Sequence, residues 1–539
     1  MRGADLLVQM LKRAGVTRIF SLSGNQIMPI YDACVGQGIE IIHTRHEGAA
    51  VFMAEAHAQL TGEVGVALVT AGGGLANAVG PLFSVRESET PVLLLSGDSP
   101  VGQDGRGAFQ EMDQTAITAP LCKLSIRPQC AADLGHEVAR AFRIARSGRP
   151  GPVHIALPFD VIEADTPSTQ LPVPLAFARV PQQMGEGDAR LIVQAIASAR
   201  KPVVLVGPAL NRSRTGDLLD RLADALGTAV LPMESPRGLK DPSLGAVADM
   251  LAQADLIVDL GKRVDFTTAF GTTPAFAAST GWILVDAEER EQDRAHRNLG
   301  VRLKLAITAN PLDAAMRLID IGGQLVGKKP EDWRVSVKSM LDARSFSITT
   351  ADTDGRITSA QLCAAVARHI RAAPASIGIC DGGEFGQWAQ ALLPTERRII
   401  NGVSGVIGGG VCYGMAAALA QPGAVIFSLM GDGSCGFHFA EIETAVRHGA
   451  AYVIVIGNDM RWNAEHQIQI REYGPDRLIG CQLSNARYDL ACEAFGGHGE
   501  YVTRHEELDA ALERALKSGK VACVNVMIDG APAPAGPAH

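Results

Sequence analysis

The chain has 539 residues, 47% of them hydrophobic and 58 of them glycine, which is too long for one ordinary domain and suits a large, well-buried α/β protein of two to four domains. A net charge of -9 argues against nucleic acid or an anionic membrane as partner. Ten cysteines without a C-x-x-C pair or metal-ligand spacing predict reduced thiols in a cytoplasmic protein.

The first twenty residues, MRGADLLVQMLKRAGVTRIF, interleave polar residues at helical spacing, so we expect a globular helix there rather than a signal peptide or membrane span. From Met1 to Asp165 strands alternate with helices. Val16 to Ser21 leads into Gly24-Asn25-Gln26, and Ile39 to Thr44 ends at Arg45-His46-Glu47. An alanine-rich helix follows, then Val64 to Thr70, the run Gly72-Gly73-Gly74, a further helix and the strand Val92 to Ser96. Repeated β-loop-α units with glycine loops predict a parallel sheet covered on both faces.

A Pro-containing segment, Pro167 to Pro181, precedes a Rossmann-like central domain over 183–326, with strands at VVLVG after Lys201-Pro202, at Leu256 to Leu260 and at Trp282 to Val285. Its single Gly207 after a strand is weak support for a nucleotide site, and we expect the central domain to serve packing only. The polar region Gly327 to Arg356 bridges to a third domain, 350–528. That domain opens with the strand Ser376 to Cys380, ending in Asp381-Gly382-Gly383, and continues into NGVSGVIGGG. Residues 529–539 are Ala, Pro and Gly rich and predict a frayed tail.

The most informative stretch is Leu429 to Asn463. A strand turns through Gly431, Asp432 and Gly433, an amphipathic helix follows, and a second strand closes on Gly457, Asn458 and Asp459. Parallel strands of a βαβ unit end side by side, so Asp432 should meet the Asn458/Asp459 pair where open α/β sheets bind ligands. Hard oxygen ligands at that place suit Mg²⁺ held against a phosphate. Glycines let the backbone approach the anion, and the following helix offers N–H groups. A bare GDG could equally be a helix cap; the second polar pair at matching height favours the metal site.

These motifs resemble those of the thiamine diphosphate-dependent enzymes of the acetolactate synthase, benzaldehyde lyase and oxalyl-CoA decarboxylase group, over essentially the whole chain. The resemblance implies three doubly wound parallel-sheet α/β domains, with thiamine diphosphate and Mg²⁺ as cofactors. It implies Asp432, Asp459 and the backbone carbonyl of Arg461 as metal ligands. Many relatives carry Asn where this chain has Asp459. Glu47, in TRHEGAA, is assigned to the aminopyrimidine ring, where a buried carboxyl shares a proton with a ring nitrogen; by itself it reads as a first-turn helix residue. In NGVSGVIGGG the Gly405 carbonyl and the Ile407 N–H are implied to grip the pyrimidine, with the Ile407 side chain as a wedge. Gly382, Gly383, Glu384, Gly431, Gly433 and Ser434 fall where relatives surround the diphosphate.

Toward the substrate, Gln26 stands where benzaldehyde lyase has histidine, and Phe109-Gln110-Glu111 resembles the FQE of acetolactate synthase. Gln110 could hydrogen-bond a carbonyl or enolate oxygen, or cap a loop. Glu465 aligns with a catalytic Glu of pyruvate decarboxylases, or is an exposed helix residue. Ile468 stands where acetolactate synthases have a Trp that shapes the choice of acceptor, and Gly261 to Gly271, GKRVDFTTAFG, is similar to acyl-CoA-active relatives. The implied activity is 2-oxo acid decarboxylation with carboligation, alternatively cleavage of a 2-hydroxyacyl-CoA or acyloin or decarboxylation of oxalyl-CoA. A non-catalytic cofactor-binding homologue is the reading from another class. Partners implied are a small carbonyl substrate and a second copy of the chain, as a homodimer at least and plausibly a homotetramer.

Overall fold

The computed structural model describes residues 1–166, 171–325, 331–342, 356–395 and 397–534. The bridging region expected at Gly327 to Arg356 lies mostly outside these residues, as do 167–170 of the Pro-containing segment and 535–539 of the tail.

Among the described residues, seventeen strands form three sheets in which every strand pairing is parallel. The first contains β1 Arg18–Ser21, β2 Glu40–His43, β3 Gly65–Val69, β4 Val92–Asp98, β5 Leu124–Ile126 and β6 Val153–Pro158, ordered β2-β1-β3-β4-β6-β5. The second contains β7 Pro202–Val206, β8 Ala229–Pro232, β9 Leu256–Leu260, β10 Gly281–Asp286 and β11 Leu303–Thr308, ordered β11-β10-β9-β7-β8. The third contains β12 Ser376–Asp381, β13 Arg397–Ile400, β14 Val425–Gly431, β15 Val453–Asn458, β16 His498–Val502 and β17 Ala522–Met527, ordered β13-β12-β14-β15-β17-β16. The first and third sheets thus share one strand order. The α/β fold with three doubly wound sheets is the one expected.

Buried strands explain the continuous apolar runs that marked them in the sequence. In the second sheet, Val204, Val206, Val258 and Leu260 join one core while Val203, Leu205, Ile257 and Leu284 join another. Alternate residues of the same strands therefore feed the two covered faces.

The chain forms two units. The first comprises Met1–Val180 with Val411–Pro422 and His438–Ala451; the second comprises Pro181–Gly410, Gly423–Phe437 and Tyr452–His539. The second unit holds the second and third sheets, tied in part by the Arg398 guanidinium, which donates to Glu234 at 2.8 Å.

Two local expectations change. The single amphipathic helix expected after Gly433 is two short ones, Asp432–Cys435 and Glu441–Arg447. The break falls where the chain passes from the second unit's packing at Phe437 into the first unit's at His438. The tail is anchored rather than frayed from Asp529 to Ala533: the Asp529 N–H donates to the Ile357 carbonyl at 3.0 Å, the Gly530 carbonyl accepts from Asn463 at 2.9 Å, and the Ala533 N–H donates to Glu384. No described helix is long and apolar enough to cross a membrane.

Gly207 follows β7 because the backbone after β9 passes directly beside it: an added Cβ would lie 2.3 Å from the Gly261 carbonyl oxygen. Gly207→Ala should therefore destabilise the second unit by about 1–3 kcal/mol through overpacking. It should be visible as a lowered apparent melting temperature; an unchanged melt would remove the packing explanation.

Candidate active site

In the second unit, β14 and β15 are neighbours with Gly431 opposite Gly457, so the residues that follow them emerge at one height. Asp432 opens the helical turn Asp432–Cys435 and is 1% exposed, and neither of its carboxylate oxygens has a hydrogen-bond partner among the described residues. Asp459, 4% exposed, lines the same pocket. Asn458 does not stay with it: its amide donates to Asn525 at 3.0 Å and its oxygen accepts from the Met460 N–H at 3.1 Å. The expected polar pair is thus divided, Asn458 fixing the strand end and Asp459 facing the pocket.

Burial, and then the charge of Asp459, pushes the Asp432 carboxyl up to about 7. Burial pushes Asp459 up to about 6, against the pull of the Arg461 guanidinium. Two acids forced together in this way have a use for a divalent cation, and their oxygens are the hard donors that Mg²⁺ takes. Among the described residues no group of three or more His, Cys, Asp and Glu side chains could hold a metal. Arg461 lies in the pocket lining immediately after Met460, whose φ of 59° is a left-handed conformation rare for such a residue.

Glycines shape the rest of this pocket. An added Cβ on Gly382, whose φ is +97°, would lie 2.3 Å from Ser434 Oγ, and one on Gly433 would lie 2.6 Å from the Trp462 ring. Gly383 precedes the helix Glu384–Leu392, which begins at the pocket. The Glu384 side chain turns toward the tail, where it accepts from Ala533, and lies 3.8 Å from the Arg237 guanidinium. Backbone N–H groups at this helix start and at Gly433 and Ser434 suit an anion such as a diphosphate.

The loop carrying Ile407 hangs on Asp381, a residue the sequence reading noted only as a strand end. Its fully buried carboxylate accepts from the Gly408 N–H at 3.0 Å, the Gly410 N–H at 2.7 Å and the Asn401 amide at 2.6 Å, while burial pushes its proton affinity up. Asn401 also accepts from the Gly382 N–H at 3.0 Å. This brings the half-buried Ile407 into the pocket lining; Gly405, at φ +65°, is exposed in the same loop. Glu465 lines the pocket too and is otherwise exposed, in the first turn of the helix Asn463–Tyr473. An acid ending a buried strand just before two glycines was the signal that could have singled out Asp381.

In the first unit, Glu47 is the first residue of the helix Glu47–Thr61, is 9% exposed, and accepts from the Asn77 amide at 3.0 Å. Gln26 and Gln110, picked from separate motifs, meet there. Thr70 Oγ1 donates to Gln26 Oε1 at 2.7 Å and Gln26 Nε2 donates to Gln110 Oε1 at 2.7 Å. This relay leaves the Gln110 amide N–H groups as donors. Loop capping falls to the neighbouring Glu111, which accepts from the Gly107 and Ala108 N–H groups at 2.9 and 3.0 Å.

A larger cavity in the second unit, about 420 Å³, is lined by Arg212, Asp220, Glu234, Arg334 and Arg398. Its three arginines are already paired, Arg212 with Asp220, Arg398 with Glu234 and Arg334 with Asp224. It contains none of the residues just described.

The raised acids set a pH dependence with a definite sign. Unfolded carboxyls lose their protons near 4, whereas Asp459 and Asp432 keep theirs to about 6 and about 7. Between those limits the folded chain binds more protons, so without divalent cation its stability falls as pH rises. Asp432→Asn should flatten that fall, and added Mg²⁺ should raise the melting temperature of the wild type more at pH 8 than at pH 5. Equal stabilisation of wild type and variant by Mg²⁺ would count against a cation at this pair.

Family models match this chain in three places: the N-terminal thiamine pyrophosphate binding domain at residues 1–117, the central domain at 189–312 and the C-terminal binding domain at 381–526. A probable acetolactate synthase of Mycobacterium bovis is 30% identical, with 98% of this chain and 96% of that protein covered. The 2-hydroxyacyl-CoA lyase 2 of Danio rerio is 29% identical over 98% and 91%, and that of Homo sapiens 27% over 98% and 90%. The chain belongs to the thiamine pyrophosphate enzyme family and is a thiamine diphosphate-dependent enzyme acting on a small molecule.

Proposed function

We propose that the enzyme makes a carbon–carbon bond next to a carbonyl, decarboxylating a 2-oxo acid and joining the remainder to a second carbonyl compound. The observation that carries the cofactor half of this reading is the buried Asp432 carboxylate, without a hydrogen-bond partner, beside Asp459. Asp432, Asp459 and the Arg461 carbonyl hold Mg²⁺, and Gly382, Gly383, Glu384, Gly431, Gly433 and Ser434 surround the diphosphate through backbone groups. When bound, the cofactor supplies a nucleophilic carbon and an electron sink for bond breaking beside a carbonyl.

The chain's own residues do the rest. Glu47 would hold and give up a proton toward the cofactor's pyrimidine ring, the Gly405 carbonyl and the Ile407 N–H would hold that ring, and the Ile407 side chain would serve as a wedge beneath the cofactor. Gln110, its oxygen occupied by Gln26, donates to the oxygen of the reacting carbonyl. Glu465 at the pocket rim moves a proton to or from the product carbon. By resemblance to the family, in which the pyrimidine-binding residues of one subunit face the diphosphate site of another, the reading includes a homodimer as minimum active unit, with a homotetramer as the full assembly. It also includes three domains over 1–165, 183–326 and 350–528, and a cytoplasmic setting that suits ten free cysteines.

A second reading, cleavage of a 2-hydroxyacyl-CoA or acyloin, or decarboxylation of oxalyl-CoA, is favoured by Glu465 and Ile468. An exposed acid at the pocket rim can protonate a simple cleavage product, and Ile468, 43% exposed, offers no aromatic wall for an acceptor. The bond-forming step of ligation, run backwards, is the bond-breaking step of acyloin or hydroxyacyl cleavage; loss of CO₂ belongs to the decarboxylating reactions alone.

Offering pyruvate, oxalyl-CoA, a 2-hydroxyacyl-CoA and benzoin to the enzyme with thiamine diphosphate and Mg²⁺ separates the readings. Turnover of pyruvate to an acyloin product is expected; turnover confined to a CoA ester or benzoin transfers the assignment to the second reading. Glu47→Gln should still bind the cofactor, seen by circular dichroism, with activity down by about 100-fold or more. Gln110→Ala should lower kcat by about 10-fold with little change in cofactor affinity. A fully active isolated monomer would refute the dimer.

A further inference from the structure

We propose that Glu441 is a positioning residue for Glu47. The inference rests on the catalytic role of Glu47 proposed above and adds the group that holds it in place.

Glu47 heads its helix directly after the loop Thr44-Arg45-His46, so its orientation depends on how that loop is held. Glu441, in the first unit's segment His438–Ala451, is 1% exposed. Its two carboxylate oxygens accept from the Arg45 N–H at 3.0 and 3.2 Å, and the His46 N–H faces the same carboxylate. Thr444 Oγ1 donates to it at 2.7 Å, fixing its rotamer. Such charge-assisted bonds to backbone N–H groups are among the stronger ones available.

The loop is gripped elsewhere too, though less directly. Thr44 donates its N–H to the Ser21 carbonyl at 2.8 Å, and His46 Nδ1 accepts from the Gly48 N–H at 3.0 Å, capping the helix. The His46 ring packs edge-on against His438 at 5.4 Å, three residues before Glu441. Arg45 also pairs with Glu443 at 3.2 Å, but that contact is solvent-exposed and contributes little. Glu441 is therefore the buried anchor for the two peptide groups that precede Glu47. Without it the Arg45 N–H loses its partner and the start of the helix is free to shift. Displacement of a catalytic group by about 1 Å costs on the order of 100-fold in rate.

A purely structural role would predict a general loss of folding or cofactor affinity. A positioning role predicts a selective loss in the step that Glu47 performs. The exchange of the thiazolium C2 proton of bound thiamine diphosphate for deuterium, followed by NMR after rapid quench, reads that step without any substrate. Wild type, Glu47→Gln, Glu441→Ala and Glu441→Gln are compared, with cofactor affinity measured in the presence of Mg²⁺ by tryptophan fluorescence. We expect exchange in Glu441→Ala to slow by about 10- to 100-fold while cofactor affinity stays within about threefold. Glu441→Gln, which keeps one acceptor oxygen, should recover most of the rate. Exchange in Glu441→Ala within about twofold of wild type would overturn the proposal, as would equal loss of exchange and affinity in both Glu441 variants. If wild type and Glu47→Gln exchange alike, the role of Glu47 itself fails, an outcome distinct from failure at Glu441.

Discussion

A carboxylate buried without a hydrogen-bond partner is the constraint on which the second unit depends. Burying Asp432 within the field of Asp459 opposes folding; the backbone N–H groups of Gly433 and Asp459 offset this only in part, and the Arg461 guanidinium acts on Asp459. The neighbouring backbone is bent to the same end. Met460 is held at positive φ, and Gly382 and Gly433 stand where a side chain would strike Ser434 or Trp462. Backbone strain, bare glycine surface and like charges are thus gathered around Asp432 and Asp459.

The repeated strand order explains why the chemistry falls at two places. In the first and third sheets the order reverses between strands of corresponding position, β1 and β3 in one, β12 and β14 in the other. Open α/β sheets bind ligands at that crevice. In the third sheet, Gly382 after β12 meets Ser434 after β14. In the first, Gly24 after β1 meets Thr70 after β3, where its added Cβ would lie 2.3 Å from the Thr70 Cβ. The same close approach of two strand ends thus shapes an anion pocket in one sheet and the Gln26–Gln110 pair in the other. The difference lies in the loops, acidic and glycine-rich in one case and amide-bearing in the other.

How much of this could be read from the sequence follows from the range of the interactions. Strands such as Leu256–Leu260 were visible because burial on both faces leaves an unbroken apolar run. Asp432 and Asp459 were visible because parallel strands of one βαβ unit end side by side, so the residues just past β14 and β15 had to emerge together. Asp381 holding Gly408 and Gly410, Thr70 orienting Gln26, and Asn77 on Glu47 were not, because a hydrogen bond between distant segments leaves no period in either. The tail misled for a related reason: Ala, Pro and Gly bring no apolar face of their own, and its anchoring comes from backbone groups meeting Glu384, Asn463 and Ile357.

The distance along the chain from Asp432 to Asp459 then has two causes. One is the sheet: a crossover must return the chain to a parallel neighbour, which sets a minimum length. The other is that the crossover is not a free connector. Its middle residues, His438–Ala451, pack in the first unit, where Glu441 holds the peptide groups leading to Glu47. A connector that only spanned two strands would be free to form one uninterrupted amphipathic helix. The break between Cys435 and Glu441 falls where the chain passes from one packing to the other: Asp432–Cys435 opens at the pocket shared with Asp459, and Glu441–Arg447 carries the carboxylate that grips the Glu47 loop. Insertion or deletion within this stretch would therefore disturb the loop before Glu47 as well as the strand ends that carry Asp432 and Asp459.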